Sequence, residues 1–219
     1  MINKLNLILG LTILFFLYAC APVYFPNKVN SPMINKAGDY NIEATMGVTG
    51  FDVQTAYSPI EKLGVMANFS TFDGSDHFHS FFEGGLGYYE PLGSKGLFEI
   101  YGGYGYGNSR TSTQGIFGTI NKGNYSRYFI QPSIGLITMA DNESGVAGSS
   151  YFTPRFCFVD FGSDNKGYYV EPVVGTRIGW RRIQINLQMG FSLPTSEVKI
   201  DHAPFIFNFG LSYVFKKIN

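Results

Sequence analysis

The sequence predicts an all-β chain, closed into a transmembrane antiparallel up-and-down β-barrel of about ten strands. Three observations carry this. Aromatic residues make up 17% of the 219 residues and 27 are glycine, while charged residues fall to 15%, below the ~25% of ordinary soluble domains. After Gly38 no stretch keeps a 3.6-residue period for long, and glycine interrupts every candidate helix. Period two recurs instead. From Ile183 to Leu193 every odd residue is apolar and every even one is polar or glycine. Phe205, Phe207, Phe209, Leu211, Tyr213 and Phe215 likewise alternate with Ile206, Asn208, Gly210, Ser212 and Val214.

Read along the chain in order, the alternation places strands near 39–47, 50–58, 62–72, 77–89, 96–107, 125–139, 150–161, 167–178, 181–193 and 204–216. The short connectors Ser58-Pro59, Asp73-Gly74-Ser75-Asp76, Pro91-Leu92-Gly93-Ser94-Lys95 and Gly162-Ser163-Asp164-Asn165-Lys166 supply the positive or preset φ that turns need. Longer connectors are expected over 108–124, 140–149 and 194–203. Strands of 10–14 residues match a tilted membrane span, and their number is even. With the first strand starting in the periplasm, aromatics gather at both ends. Tyr57, Tyr88, Tyr89, Trp180, Tyr213 and Phe215 fall at the periplasmic end, and Phe72, Phe78, Tyr106, Tyr128, Phe161 and Tyr168 at the outer one. A lipocalin-like soluble binder, with its apolar face inward, is the competing arrangement. Closure is required in hydrocarbon because no backbone group can stay unpaired there. Gly103, Gly105 and Gly107 let bulky neighbours lie over bare backbone.

The balance of 16 basic and 16 acidic residues argues against a nucleic-acid partner. Two cysteines cannot form a disulfide scaffold or a four-ligand zinc site.

Before the barrel, Lys4 precedes an apolar run from Leu7 to Leu17, too short for a permanent transmembrane helix and right for a signal-peptide h-region. Leu17-Tyr18-Ala19-Cys20 resembles the bacterial lipobox, which implies a signal peptide over 1–19 and a lipidated Cys20. An ordinary signal peptide cleaved near Ala19 or Ala21 is the alternative. Pro22, Pro26 and Pro32 with several Asn and Lys read as an extended, lipid-anchored periplasmic tether over 20–38, leaving the barrel over 39–217.

The lipobox, the proline-bearing tether, the alternating strands and the last strand ending in Tyr213-Val214-Phe215 resemble small outer-membrane β-barrel lipoproteins of Bacteroidetes-type bacteria. Gly50-Phe51-Asp52-Val53-Gln54-Thr55-Ala56-Tyr57 with Leu63-Gly64-Val65-Met66-Ala67 is similar to their opening hairpin. The resemblance implies a bacterial outer-membrane location, an N-terminal lipid anchor, contact with outer-membrane lipid, and engagement of the barrel-assembly machinery through a terminal aromatic. Here Phe215 is followed by Lys216-Lys217-Ile218-Asn219, which displaces that signal from the C-terminus. No catalytic residue and no cofactor is implied.

Alternation points Glu43, Asp52, Glu83 and Glu99 into the lumen from the first half of the barrel, and Arg127, Arg155, Glu171 and Arg177 from the second. A charge facing lipid costs about 2–4 kcal/mol for Arg near the midplane. A ten-stranded lumen is narrow, so these eight form a charge network that plugs it. A conduit for a small solute is the alternative. His77 and His79 beside Asp73 and Asp76, with Asp201-His202, suit a barrel enzyme or a metal site. No family motif matches them, and neither catalysis nor metal binding is expected. Gly102–Gly107 lacks the helix and Lys-Ser/Thr of a phosphate loop. Cys157 is expected inward and inert. The leading expectation is a structural or surface-interaction protein with a largely plugged lumen, its partner met through loops 108–124 and 194–203. A narrow channel or transport component and an outer-membrane barrel enzyme are the alternatives.

Overall fold

The computed structural model describes residues 24–75, 77–112, 120–138, 145–162, 165–180, 182–195 and 202–216. The expected signal peptide and Cys20 lie outside the described residues. Among these residues there is no helix. The long strands are β1 Tyr40–Gly47, β2 Gly50–Ile60, β3 Leu63–Asp73, β4 His77–Leu92, β5 Gly96–Ser112, β6 Ile120–Thr138, β7 Val146–Asp160, β8 Lys166–Trp180, β9 Ile183–Phe191 and β11 Phe205–Phe215. A two-residue β10, Leu193–Pro194, continues β9 beside β8.

Consecutive strands pair antiparallel, and β11 joins β1 on one side and β9 on the other. With β8 paired to β9, the ten long strands form a closed up-and-down barrel. No ladder is left open at an edge, which is how barrels remove the unpaired N–H and C=O groups of a sheet. The upper end carries the connectors 48–49, 74–76, 113–119, 161–165 and 195–204. The lower end carries 61–62, 93–95, 139–145 and 181–182, with Gly38 and Lys216 beside them.

The expected long connector 108–124 is shorter. Strands β5 and β6 stay in register from Asn108↔Asn124 to Ser112↔Ile120, leaving only 113–119. Ser109 and Thr111 point inward and Asn108 and Arg110 outward, so the strand continues where neither face is greasy and hydrophobic alternation gives no signal. Strand β7 likewise begins at Val146 rather than near 150.

The barrel is apolar outside, and inside it holds polar and charged side chains together with a buried cluster that includes Phe81, Tyr101 and Phe129. Ile185 is 63% exposed while its neighbour Gln184 is 5% exposed, and Phe205, Phe207, Phe209 and Leu211 all face out. Tyr89, expected in the lower aromatic ring, is buried, with its hydroxyl 2.9 Å from Ser58 Oγ. It adjoins outward-facing Tyr88, and successive strand residues take opposite faces. Phe161 also leaves its expected ring to stack on Tyr125 at 4.8 Å. The glycines serve lumen aromatics rather than Tyr104 and Tyr106, which point outward. A Cβ at Gly103 would stand 2.5 Å from the Phe129 ring, and one at Gly105 2.3 Å from Phe81.

Candidate functional site in the barrel lumen

The segment expected to be a free tether runs inside the barrel instead. Tyr24 to Ile34 descends through the lumen from the upper end to the lower, and Tyr24, Phe25 and Asn27 through Ile34 are buried. At the top, Ala203 N–H donates to the Tyr24 carbonyl at 2.9 Å, and Phe25 stacks on His77 and His79 at 5.0 Å each. At the bottom, Lys216 Nζ donates to the Met33 carbonyl at 2.7 Å.

An extended peptide in a lumen has no strand edge to pair with, yet its buried backbone groups need partners. Wall side chains supply them. Gln188 brackets Val29, its Oε1 accepting from Val29 N–H at 2.9 Å and its Nε2 donating to the Val29 carbonyl at 2.8 Å. Gln54 donates to the carbonyl of Lys28 at 2.6 Å, Gln131 to that of Asn30 at 2.5 Å, Arg155 to that of Asn27 at 3.0 Å and Arg177 to that of Ser31 at 2.6 Å. The side chains of the segment are matched as well. Asn30 Nδ2 donates to Asn68 Oδ1 at 2.6 Å, and Ser31 Oγ lies 2.7 Å from Thr153 Oγ1. Gly135 makes room for Met33, whose Cε would stand 2.3 Å from an added Cβ.

All eight charged residues assigned to the lumen are buried. Glu43 takes Arg177 and also Lys28 of the segment. Glu83 takes Arg127, with Arg155 at 3.6 Å. Glu171 takes Arg155 Nε at 2.7 Å, together with the hydroxyls of Tyr24 at 2.8 Å and Ser192 at 3.1 Å. Asn27 bridges Glu83 and the two arginines through its amide. Glu99 is handled differently. Its carboxylate accepts from the consecutive backbone N–H groups of Met33 and Ile34, at 3.1 and 3.0 Å. Met33 has φ 56°, and this left-handed turn aims both donors at one anion, as a backbone nest does. Asp52 is buried, with Ser70 and the backbone of Lys28 facing its carboxyl.

No family model, curated protein or solved structure matches the chain.

The remaining candidates from the sequence sit at the upper mouth. His77 and His79 open β4, as the strand expected from 77 has them, and His79 Nε2 is 3.2 Å from Ser70 Oγ. His202 Nε2 is 3.0 Å from the Ser192 carbonyl, and its ring lies 5.2 Å from Tyr169. Asp76 and Asp201 lie outside the described residues. Among those described, no three His, Cys, Asp or Glu side chains come together as a metal site. Cys157 is buried and its Sγ donates to Glu171 at 3.6 Å. On the upper ends of β3 to β6, Asp73, Phe78, Asn108, Arg110 and Lys122 line an open cleft of about 640 Å³.

Two parts of this site were not read from the sequence, Lys28 with the rest of the lumen segment and the glutamines that hold its backbone. One signal was available. Gln54, Gln131, Gln184 and Gln188 all fall at inward positions of predicted strands, more amides than an interior ion-pair network needs.

Proposed function

We propose that this chain is a bacterial outer-membrane β-barrel lipoprotein whose lumen is occluded by its own N-terminal segment, with a structural or surface-interaction role. One observation carries the reading: a closed barrel whose outer wall is a continuous apolar face and whose interior holds buried, paired charge. An apolar outer wall of this kind, set in water, would be a very large exposed patch. In a bilayer it meets hydrocarbon. The packed lumen supports the plugged form over the narrow-channel alternative, since Lys28, Asn27 and Asn30 fill the axis with matched polar contacts. Partner contact falls to the upper connectors, 113–119 and 195–204, and to the cleft beside Arg110 and Lys122.

The test is thiol labelling in cells with a membrane-impermeant reagent, in a Cys157→Ser background. Cysteine placed at Ile185 is expected to stay unlabelled after outer-membrane permeabilisation and to react once detergent strips the lipid. Cysteine at Gln184 is expected to stay silent until the protein unfolds. Reaction of Ile185→Cys in permeabilised cells, before detergent, would mean that this face meets water and would sink the membrane reading. Ready labelling of Gln184→Cys in the native protein would mean an open lumen.

A further inference from the structure

The course of the lumen segment also fixes which side of the barrel its N-terminal end is on. Tyr24 sits at the upper mouth, where it forms a parallel bridge with His202 and its hydroxyl reaches Glu171. Eleven residues later Asn35 is at the lower end, 3.2 Å from Lys216 Nζ, and Gly38 N–H donates to the Ser58 carbonyl at 2.8 Å. The chain therefore enters from above and leaves below, and whatever precedes Tyr24 joins it at the upper end.

Cys20 is four residues before Tyr24. Four residues span at most ~14 Å even when fully extended, about half of the ~25 Å apolar band of an outer-membrane barrel. The lumen beneath Tyr24 is already filled by the segment and the side chains that clamp it, so it leaves no room for a second pass of the chain. Four residues from Tyr24 therefore cannot reach the lower end, and Tyr24's own end carries the longest connector, 195–204. Three of the four connectors at the other end, 61–62, 93–95 and 181–182, are short turns, with 139–145 the one longer exception; they mark that end as periplasmic, since outer-membrane barrels keep short turns inside and longer loops outside.

We propose that Cys20 and its acyl chains are presented at the upper, long-connector end of the barrel, on the cell-surface side, with the barrel closed around the segment that follows. This rests on the outer-membrane reading above and replaces the expected periplasmic tether with a threaded one. The anchor then inserts in the outer leaflet beside the mouth of its own barrel. The ion pair of Lys28 with Glu43 and the amide of Asn27 hold the thread in place. Because the thread is buried along its whole described length, lipid and barrel cannot be separated without opening the lumen.

The test places a short hydrophilic epitope in the full chain after Ala21, after Glu197 in the upper connector, or after Glu61 in a lower turn. Antibody binding is compared on intact cells and after outer-membrane permeabilisation. The Ala21 and Glu197 epitopes are expected to bind on intact cells, and the Glu61 epitope only after permeabilisation. An Ala21 epitope that behaves like Glu61 overturns the threading. Exposure of Glu61 alone on intact cells overturns the surface placement, the barrel then standing the other way up. If all three bind alike in intact cells, the chain does not cross the membrane; the outer-membrane reading fails, and this inference with it. A second measurement guards against an epitope that disturbs the thread. Ser31→Cys with Thr153→Cys, in the epitope-bearing Cys157→Ser chain, should form an intramolecular crosslink on oxidation. A membrane-inserted barrel that never forms it has no thread, which also overturns the proposal.

Discussion

The ammonium of Lys28, in the lumen segment, is ion-paired with the carboxylate of Glu43 on β1, and neither side chain meets solvent. Glu43 holds Arg177 on its other oxygen, and Asn186 Nδ2 donates to it at 2.8 Å. A single acid thus ties the thread to β1, β8 and β9 of the wall. Removing one member of a buried pair leaves an uncompensated charge and costs about 3–5 kcal/mol. The expected effects are unequal. Glu43→Gln strands two cations and should cost that full amount, while Lys28→Met leaves Glu43 with Arg177 and should cost less. The double variant, with one cation fewer to strand, should be more stable than Glu43→Gln alone. Urea titration in detergent reads all three, and equal, additive losses would mean that Lys28 and Glu43 are not coupled.

The Glu99 nest makes a different prediction, because its donors are backbone. Met33 is held at positive φ without being glycine, a strain of about 1–3 kcal/mol that persists only where its surroundings enforce it. Glu99→Ala removes the acceptor for two buried N–H groups, each worth about 1–3 kcal/mol when left unmatched. Hydrogen exchange at Met33 and Ile34 should then quicken at least tenfold, with the amides paired between β5 and β6 unchanged. Unaltered exchange at those two residues would show that the turn does not depend on the carboxylate.

Much of this was legible in the sequence, for one physical reason. A barrel wall repeats every two residues, so the alternation at Ile183–Phe191 and Phe205–Phe215 fixes both element and face, and the same alternation turns Glu43, Glu83, Arg127, Arg155, Glu171 and Arg177 inward. The thread has no such period. Asn27-Lys28, Asn30 and Ser31 are as polar as a solvated tether, and Pro22, Pro26 and Pro32 call for extended chain in either place. What decides between them is pairing across 15 to 159 residues, as in Lys28 with Glu43 or Val29 with Gln188. The strand ends at Asn108–Ser112 were missed for a related reason: beyond the apolar belt, the two faces of a strand no longer differ in polarity.

A glycine contact in the wall gives a stability test independent of the thread. A Cβ at Gly64 would lie 2.1 Å from the Tyr101 hydroxyl and 2.8 Å from its Cζ. That hydroxyl is buried without a partner among the described residues. Gly64→Ala should therefore destabilise by about 1–3 kcal/mol through overpacking. Tyr101→Phe should be neutral or stabilising, because it deletes an unmatched polar group, and it should recover part of the Gly64→Ala loss. A Tyr101→Phe change that itself costs more than ~1 kcal/mol, on the scale of a net hydrogen bond, would mean that the hydroxyl has a partner.

Removing the thread tests what occludes the lumen and also its charge. Without residues 24–35 the lumen keeps Glu43, Asp52, Glu83, Glu99 and Glu171 against Arg127, Arg155 and Arg177, all buried in the intact chain. That is five acids and three bases, a net of minus two where the Lys28 ammonium had brought it to minus one. Side chains alone do not fill the axis, because Gln54, Gln131 and Gln188 reach across to backbone that would no longer be there. In planar bilayers the intact chain should be silent, and the chain lacking 24–35 should conduct with a preference for cations. Lumen acids focus field lines in a narrow polar bore much as charged clefts do elsewhere, so Asp52→Asn with Glu99→Gln should weaken that preference. Current through the intact protein would show that the thread does not seal the barrel. Anion preference in the shortened chain would contradict the charge assignment of the lumen.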